Sequence, residues 1–121
     1  MNIERRHVGK RLSELVINPA SGTAYLAGQV AKDPKADIAG QTQQVLTQID
    51  ELLHEAGSDK SRLLSATIYL PDIADFVAMN AVWEKWVVAG ATPARATVQA
   101  MLAGPEFKVE IQVVAEVPIS T

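Results

Sequence analysis

Across residues 107–117 apolar and polar side chains alternate. Phe107, Val109, Ile111, Val113 and Ala115 point one way; Lys108, Glu110, Gln112, Val114 and Glu116 point the other. A period of two over that length specifies a strand with one buried face. Residues 95–102 alternate as well, with Ala96, Val98, Ala100 and Leu102 in the apolar set and Arg95, Thr97, Gln99 and Met101 in the other. The segment Ala103-Gly104-Pro105-Glu106 between them reads as a tight turn, so the two strands are expected to form a hairpin. The purely apolar sets should face the core. That places Arg95, Thr97, Gln99, Glu110 and Gln112 together on the opposite face. In that register Gln99 lies opposite Glu110, and Arg95 sits roughly 13 Å from Glu110 at about 3.3 Å per residue.

The rest of the chain supplies further strands and two helices. Residues 3–8, 13–18 and 23–28 read as extended, with the cluster Asn18-Pro19-Ala20-Ser21-Gly22 as a turn. Asp37 is a good N-cap for a helix with apolar residues at Ile38, Val45, Leu46, Ile49, Leu52, Leu53 and Ala56, which Gly57 ends. Residues 64–70 alternate over a half-buried strand that Pro71 stops. Asp72 is expected to cap a second helix, with Asp75 in its first turn and Phe76, Met79, Trp83 and Trp86 or Val87 as its apolar stripe; Gly90 and Pro93 close it. The order is β-β-β-α-β-α-β-β. Two helices can cover only one face of such a sheet, so the expected architecture is α+β, in one domain over residues 1–121.

Charge and composition narrow the function. Eleven basic against fourteen acidic residues give a net charge of −3, so no basic surplus is available to follow a nucleic-acid backbone. The apolar stretch near residues 86–91 is far shorter than the roughly 20 residues of a membrane helix, and no apolar run follows the charged start as in a signal peptide. The absence of cysteine excludes a disulfide framework, a cysteine nucleophile and a thiolate zinc site, and fits a cytoplasmic location. His7 and His54 lie far apart, so no metal site is expected; His54 belongs near the end of the first helix, where it favours the dipole. One figure is unusual for so small a domain: 48% of residues are hydrophobic and only 21% charged. Either the surface carries apolar patches or part of it is covered by another subunit.

A cation, a carboxylate and small hydrogen-bonding groups on one sheet face can form a site for an anionic small molecule, with the planar fork of Arg95 gripping a carboxylate. On the residues alone, the favoured reading of the same set is an ordinary solvated sheet face carrying an ion pair.

At these strands the sequence resembles the Rid family (reactive intermediate deaminase, also called YjgF or L-PSP), and most nearly its YoaB-like branch. The similarity runs along nearly the whole chain. It is carried by Leu26-Ala27-Gly28-Gln29-Val30, Ala66-Thr67-Ile68-Tyr69-Leu70, Met79-Asn80-Ala81-Val82-Trp83, Pro93-Ala94-Arg95 and Lys108-Val109-Glu110-Ile111. The resemblance implies a chorismate-mutase-like α+β fold and a homotrimer whose sheets pack into a central barrel, with sites in the clefts between subunits. It implies hydrolysis of reactive 2-imino or 2-enamino acids to 2-keto acids and ammonia, with no metal and no organic cofactor. Arg95 matches the arginine that binds the substrate carboxylate, and Glu110 the glutamate that positions or activates water. Gly28, Asn80 and Thr97 match positions that contact substrate. Thr97 stands where the family often has cysteine, Ala27 stands where it has a small serine, and Leu12 falls near the place of a tyrosine. A non-catalytic binder of keto-acid-like molecules on the same fold is therefore the alternative. Ribonuclease activity, a label some relatives carry, fits poorly with the acidic balance.

Overall fold

The computed structural model describes residues 2–118; of the expected 1–121 span, Met1 and residues 119–121 lie outside the described residues. The elements follow in the order β1 (Glu4–Val8), β2 (Ser13–Asn18), β3 (Thr23–Leu26), α1 (Ile38–Glu55), β4 (Leu63–Leu70), α2 (Phe76–Trp86), β5 (Ala94–Gln99) and β6 (Glu110–Glu116).

The caps of α1 are where the sequence places them. Asp37 is extended and its carboxylate accepts the Gly40 N–H at 2.9 Å, starting α1. Gly57 adopts φ +77 after α1, and its N–H closes on the His54 carbonyl at 3.0 Å. Only glycine takes that conformation without strain. His54 does lie in the last turn of α1. Asp72 caps a short 3-10 turn, Ile73–Asp75, rather than α2 itself, which begins at Phe76. The second helix also ends earlier than Gly90 and Pro93 suggest: Val87 is already extended.

One six-stranded mixed sheet forms, in the order β1-β2-β3-β6-β4-β5. This corrects the expected final hairpin. β6 does not pair with β5; it runs antiparallel between β3 and β4. β5 pairs parallel to β4, on the sheet edge, with α2 as the crossover between them. A parallel neighbour needs such a crossover, and the β-α-β order supplies it. Tyr69, not Gln99, therefore lies opposite Glu110.

The core sits between one sheet face and the helices. Leu15, Leu26, Ile68 and Ile111 from the sheet, and Val45, Leu46, Ile49 and Leu53 from α1, are all essentially excluded from solvent. Each such side chain contributes roughly 1.5–3 kcal/mol on burial. The apolar set of β6 faces this core as expected, with Val109, Ile111, Val113 and Ala115 buried. The other face of the sheet carries Val16, Tyr25 and Val114 in mutual register, and Tyr69 beside Val98. Tyr25 is 47% exposed and Val98 41%, so this face is an apolar surface open to solvent in the single chain.

Candidate functional site

Strand pairing decides which way each candidate side chain points, because residues directly opposite each other share a face. Arg95 is paired with Ala66 and Thr97 with Ile68, and Ala66 and Ile68 both belong to the core. Arg95 and Thr97 therefore face the helix side. Glu110 is paired with Tyr69, one residue out of phase with Ile68, and faces the open side. The expected shared face for Arg95, Thr97, Gln99, Glu110 and Gln112 is thus corrected: Glu110 and Gln112 are on the open face, whereas Arg95, Thr97 and Gln99 are on the other. The physical reason is the exposure of β5. On this edge strand Ala96 and Val98 are exposed, and the polar set turns toward α2.

The helix receives Arg95 because it offers more than aliphatic surface. The Nη1 of Arg95 donates to the Oδ1 of Asn80 at 2.8 Å. Its guanidinium carbon lies 5.4 Å from the Trp83 ring centre and 5.8 Å from that of Phe76. Among the described residues no carboxylate lies within ion-pair distance of Arg95. The Thr97 hydroxyl, two residues along on the same face, is buried and has no hydrogen-bond partner. A half-buried cation with a neutral amide for a partner, next to an idle hydroxyl, is a place suited to an anion with acceptor oxygens.

Glu110 is held quite differently. It opens β6 beside the chain leaving β3, where Gln29 and Ile111 exchange both backbone hydrogen bonds at 2.9 and 3.1 Å. That bridge lays Gly28 against the Glu110 side chain. A Cβ on Gly28 would collide with Oε2 of Glu110 and lie 2.9 Å from its Cδ. Gly28 is not at positive φ, so what a side chain there would disturb is the position of the Glu110 carboxylate rather than the backbone. The Gln29 side chain turns the other way and is buried. Its Nε2 donates to Glu14 at 2.7 Å and to the Ala27 carbonyl at 3.1 Å, and its Oε1 accepts from Gln48. Gln29 is an anchor for the turn, and Gly28 is the member of the pair that meets the carboxylate.

The chain therefore brings the candidates together in two clusters. Arg95, Asn80 and Thr97 form one; Gly28 and Glu110 form the other. Across two strand spacings and three residues the Cα atoms of Arg95 and Glu110 are about 14 Å apart, on opposite faces with β4 between them.

Sequence reasoning took Trp83 as a packing residue and Phe76 as part of the same stripe. Trp83 is indeed buried, yet both rings also line Arg95. The signal was their spacing around Asn80, since positions i, i+4 and i+7 share one helix face. His7 was also missed: it adopts φ +53 and its Nε2 lies 2.9 and 3.0 Å from the two carboxylate oxygens of Glu55, tying β1 to the end of α1. Among the described residues there is no group of three or more histidine or carboxylate side chains able to hold a metal ion. Among the described residues no helix is long and apolar enough to cross a membrane.

Comparison with known proteins gives a consistent picture. A family model described as Endoribonuclease L-PSP matches residues 5–117. The RutC family protein YoaB of Escherichia coli K12 is 48% identical over 117 residues, covering 97% of this chain and 100% of YoaB. A RutC family protein of Haemophilus ducreyi is 46% identical over 115 residues, 95% of this chain and 97% of its own. Among solved structures, a YjgF family member from Neisseria meningitidis superposes with a TM-score of 0.94 at 45% identity, covering 99% of this chain and 98% of that one. The Rid family protein YyfA of Yersinia pestis gives a TM-score of 0.83 at 29% identity, over 91% of this chain and 90% of its own.

Proposed function

The chain belongs to the L-PSP family, the group that includes the RutC, YjgF and Rid proteins, and from that premise we propose that it is a cytoplasmic deaminase. It hydrolyses reactive 2-imino and 2-enamino acids to 2-keto acids and ammonia, at clefts between the subunits of a homotrimer. The observation that carries this reading is Arg95: a half-buried guanidinium with no carboxylate partner among the described residues. Such a cation is stabilised by an anion from outside the chain, and a substrate carboxylate fits its planar fork.

Water adds to the imine carbon, which is already electrophilic. A C–O bond forms as one proton passes from water to nitrogen, giving a carbinolamine; its hydroxyl proton then passes to nitrogen as the C–N bond breaks, which releases ammonia and leaves the ketone. The step needs an oriented water and a proton carrier more than a strong nucleophile. Glu110 takes the proton from water and returns it to the departing nitrogen. Backbone beside Gly28 and the Thr97 hydroxyl supply further hydrogen bonds to substrate.

A 2-imino acid carries its carboxylate and its imine on adjacent carbons. Arg95 and Glu110 of one chain, about 14 Å apart on opposite faces, do not converge on such a molecule. A second copy resolves this: Arg95 of one subunit and Glu110 of its neighbour line the same cleft. The open apolar face with Val16, Tyr25 and Val114 gives the subunits a surface on which to pack.

The test is the decay of freshly generated 2-iminobutyrate or 2-iminopropionate. The protein should accelerate it, and Arg95→Ala should remove the effect. Equal decay with and without the protein contradicts the enzyme for those substrates. Calorimetric binding of 2-oxobutyrate with no turnover of any imine would instead favour the non-catalytic binder.

A further inference from the structure

We propose that Phe76, Asn80 and Trp83 act as one clamp that sets the plane and position of the Arg95 guanidinium, so that α2 determines how a carboxylate is received. The inference rests on Arg95 as the carboxylate anchor. It adds three positioning residues that reach the substrate through Arg95, and it moves Asn80 from a substrate contact to a partner of the arginine.

Three observations support it. The spacing of the three residues puts them on a single face of α2, turned toward β5. All three reach the same guanidinium: the amide oxygen of Asn80 at 2.8 Å, the Trp83 ring at 5.4 Å and the Phe76 ring at 5.8 Å. Those are ordinary distances for a charge-assisted hydrogen bond and for cation–π contact. Finally, the three holders are uncharged. A carboxylate in the place of Asn80 would position the arginine just as well but would neutralise it. An amide and two rings hold the side chain and leave its positive charge for an incoming anion.

The contacts also restrict the direction of approach. Aromatic rings beside the guanidinium and Asn80 on Nη1 leave the remaining in-plane N–H groups as the open donors. A planar carboxylate arriving edge-on meets two of these at once, which is the bidentate geometry that distinguishes arginine from lysine. Arg95→Lys should therefore fail to restore what Arg95→Ala removes, although it keeps the charge.

The experiment reads the arginine directly. In the full-length protein, side-chain nitrogen relaxation of the Arg95 Nε–H group should show it as ordered as the backbone, while exposed Arg5 and Arg11 are mobile. Phe76→Leu and Asn80→Ala should each release it toward the exposed arginines, and Phe76→Tyr should restore order. Phe76 is 37% exposed, so its variants do not disturb the core. In turnover, Phe76→Leu and Asn80→Ala should raise KM for 2-iminobutyrate about tenfold while kcat stays within about twofold, since a cation–π contact and a charge-assisted hydrogen bond are lost. An Arg95 side chain as mobile in the wild type as Arg5, or unchanged in both variants, overturns the clamp. The relaxation measurement needs no substrate. Absence of imine hydrolysis by the wild type would thus remove the deaminase reading and leave the clamp to be decided on its own.

Discussion

The Arg95 cluster and the Glu110 cluster carry opposite charges and are built by opposite means. Arg95 stands on an edge strand and is held by side chains from a helix: an amide and two aromatic rings. Glu110 opens an interior strand and is positioned by backbone: the Gln29–Ile111 bridge and the missing side chain of Gly28. Each half therefore tolerates a different kind of change. The arginine half depends on the chemistry of α2, whereas the glutamate half depends on an absence of atoms. The two also open to different sides of the sheet, so a single chain does not bring them onto one small molecule.

Breaking either charged group should have the largest effect. Arg95→Ala should lower kcat/KM for 2-iminobutyrate on the order of a hundredfold or more, because the substrate carboxylate would enter the cleft unpaired. Glu110→Gln should lower kcat by about a hundredfold or more with little change in KM, the mark of a lost proton carrier. Both variants should keep the wild-type circular dichroism spectrum, since neither side chain belongs to the apolar core.

A subtler change separates the two halves. Gly28→Ala should displace the Glu110 carboxylate, which is the flexible end of a side chain, and should not break the strand. Turnover should fall about tenfold, as expected for a misplaced general base, and the thermal midpoint should move little. A full loss of folding would show that the close approach is part of the fold rather than of the site. In the arginine half the smallest effect belongs to Thr97→Val. The buried hydroxyl has no partner, so replacing it with a methyl of similar shape should raise the stability of the ligand-free protein by about 1 kcal/mol, read from denaturant midpoints. Loss of stability would mean that the hydroxyl is satisfied in solution.

Much of the fold was legible in the sequence because local chemistry dictates it. The caps at Asp37 and Gly57, the stripe of α1 and the alternation of β4 and β6 each follow from one short segment. Strand order was not legible by the same route. Alternation says that residues 95–99 and 110–116 are extended, but it does not name their neighbours. The hairpin expectation relied on closeness in sequence, although the β-α-β order around α2 pointed to a parallel pair. The facing of β5 failed for a related reason. Its small apolar set, Ala96 and Val98, looked like a core set, and the rule that apolar residues face helices assumes an aliphatic helix surface. With Phe76, Asn80 and Trp83 presented instead, an arginine is the better-matched side chain. Strand alternation singles out Arg95, Thr97 and Glu110, and the family resemblance assigns their roles and adds Gly28 and Asn80. Their division between two faces is visible only once the sheet is assembled.

Whether the two clusters meet across chains is decided by mixing two crippled variants. Arg95→Ala and Glu110→Gln proteins, each reduced about a hundredfold or more alone, are unfolded together and allowed to reassemble. If each cleft takes its arginine from one chain and its glutamate from the next, random mixing around a closed ring restores both groups in about a quarter of the clefts. Imine hydrolysis should then return to about a quarter of the wild-type rate. If one chain supplies both residues of a site, every cleft retains one defect, and the mixture stays as inactive as its parts.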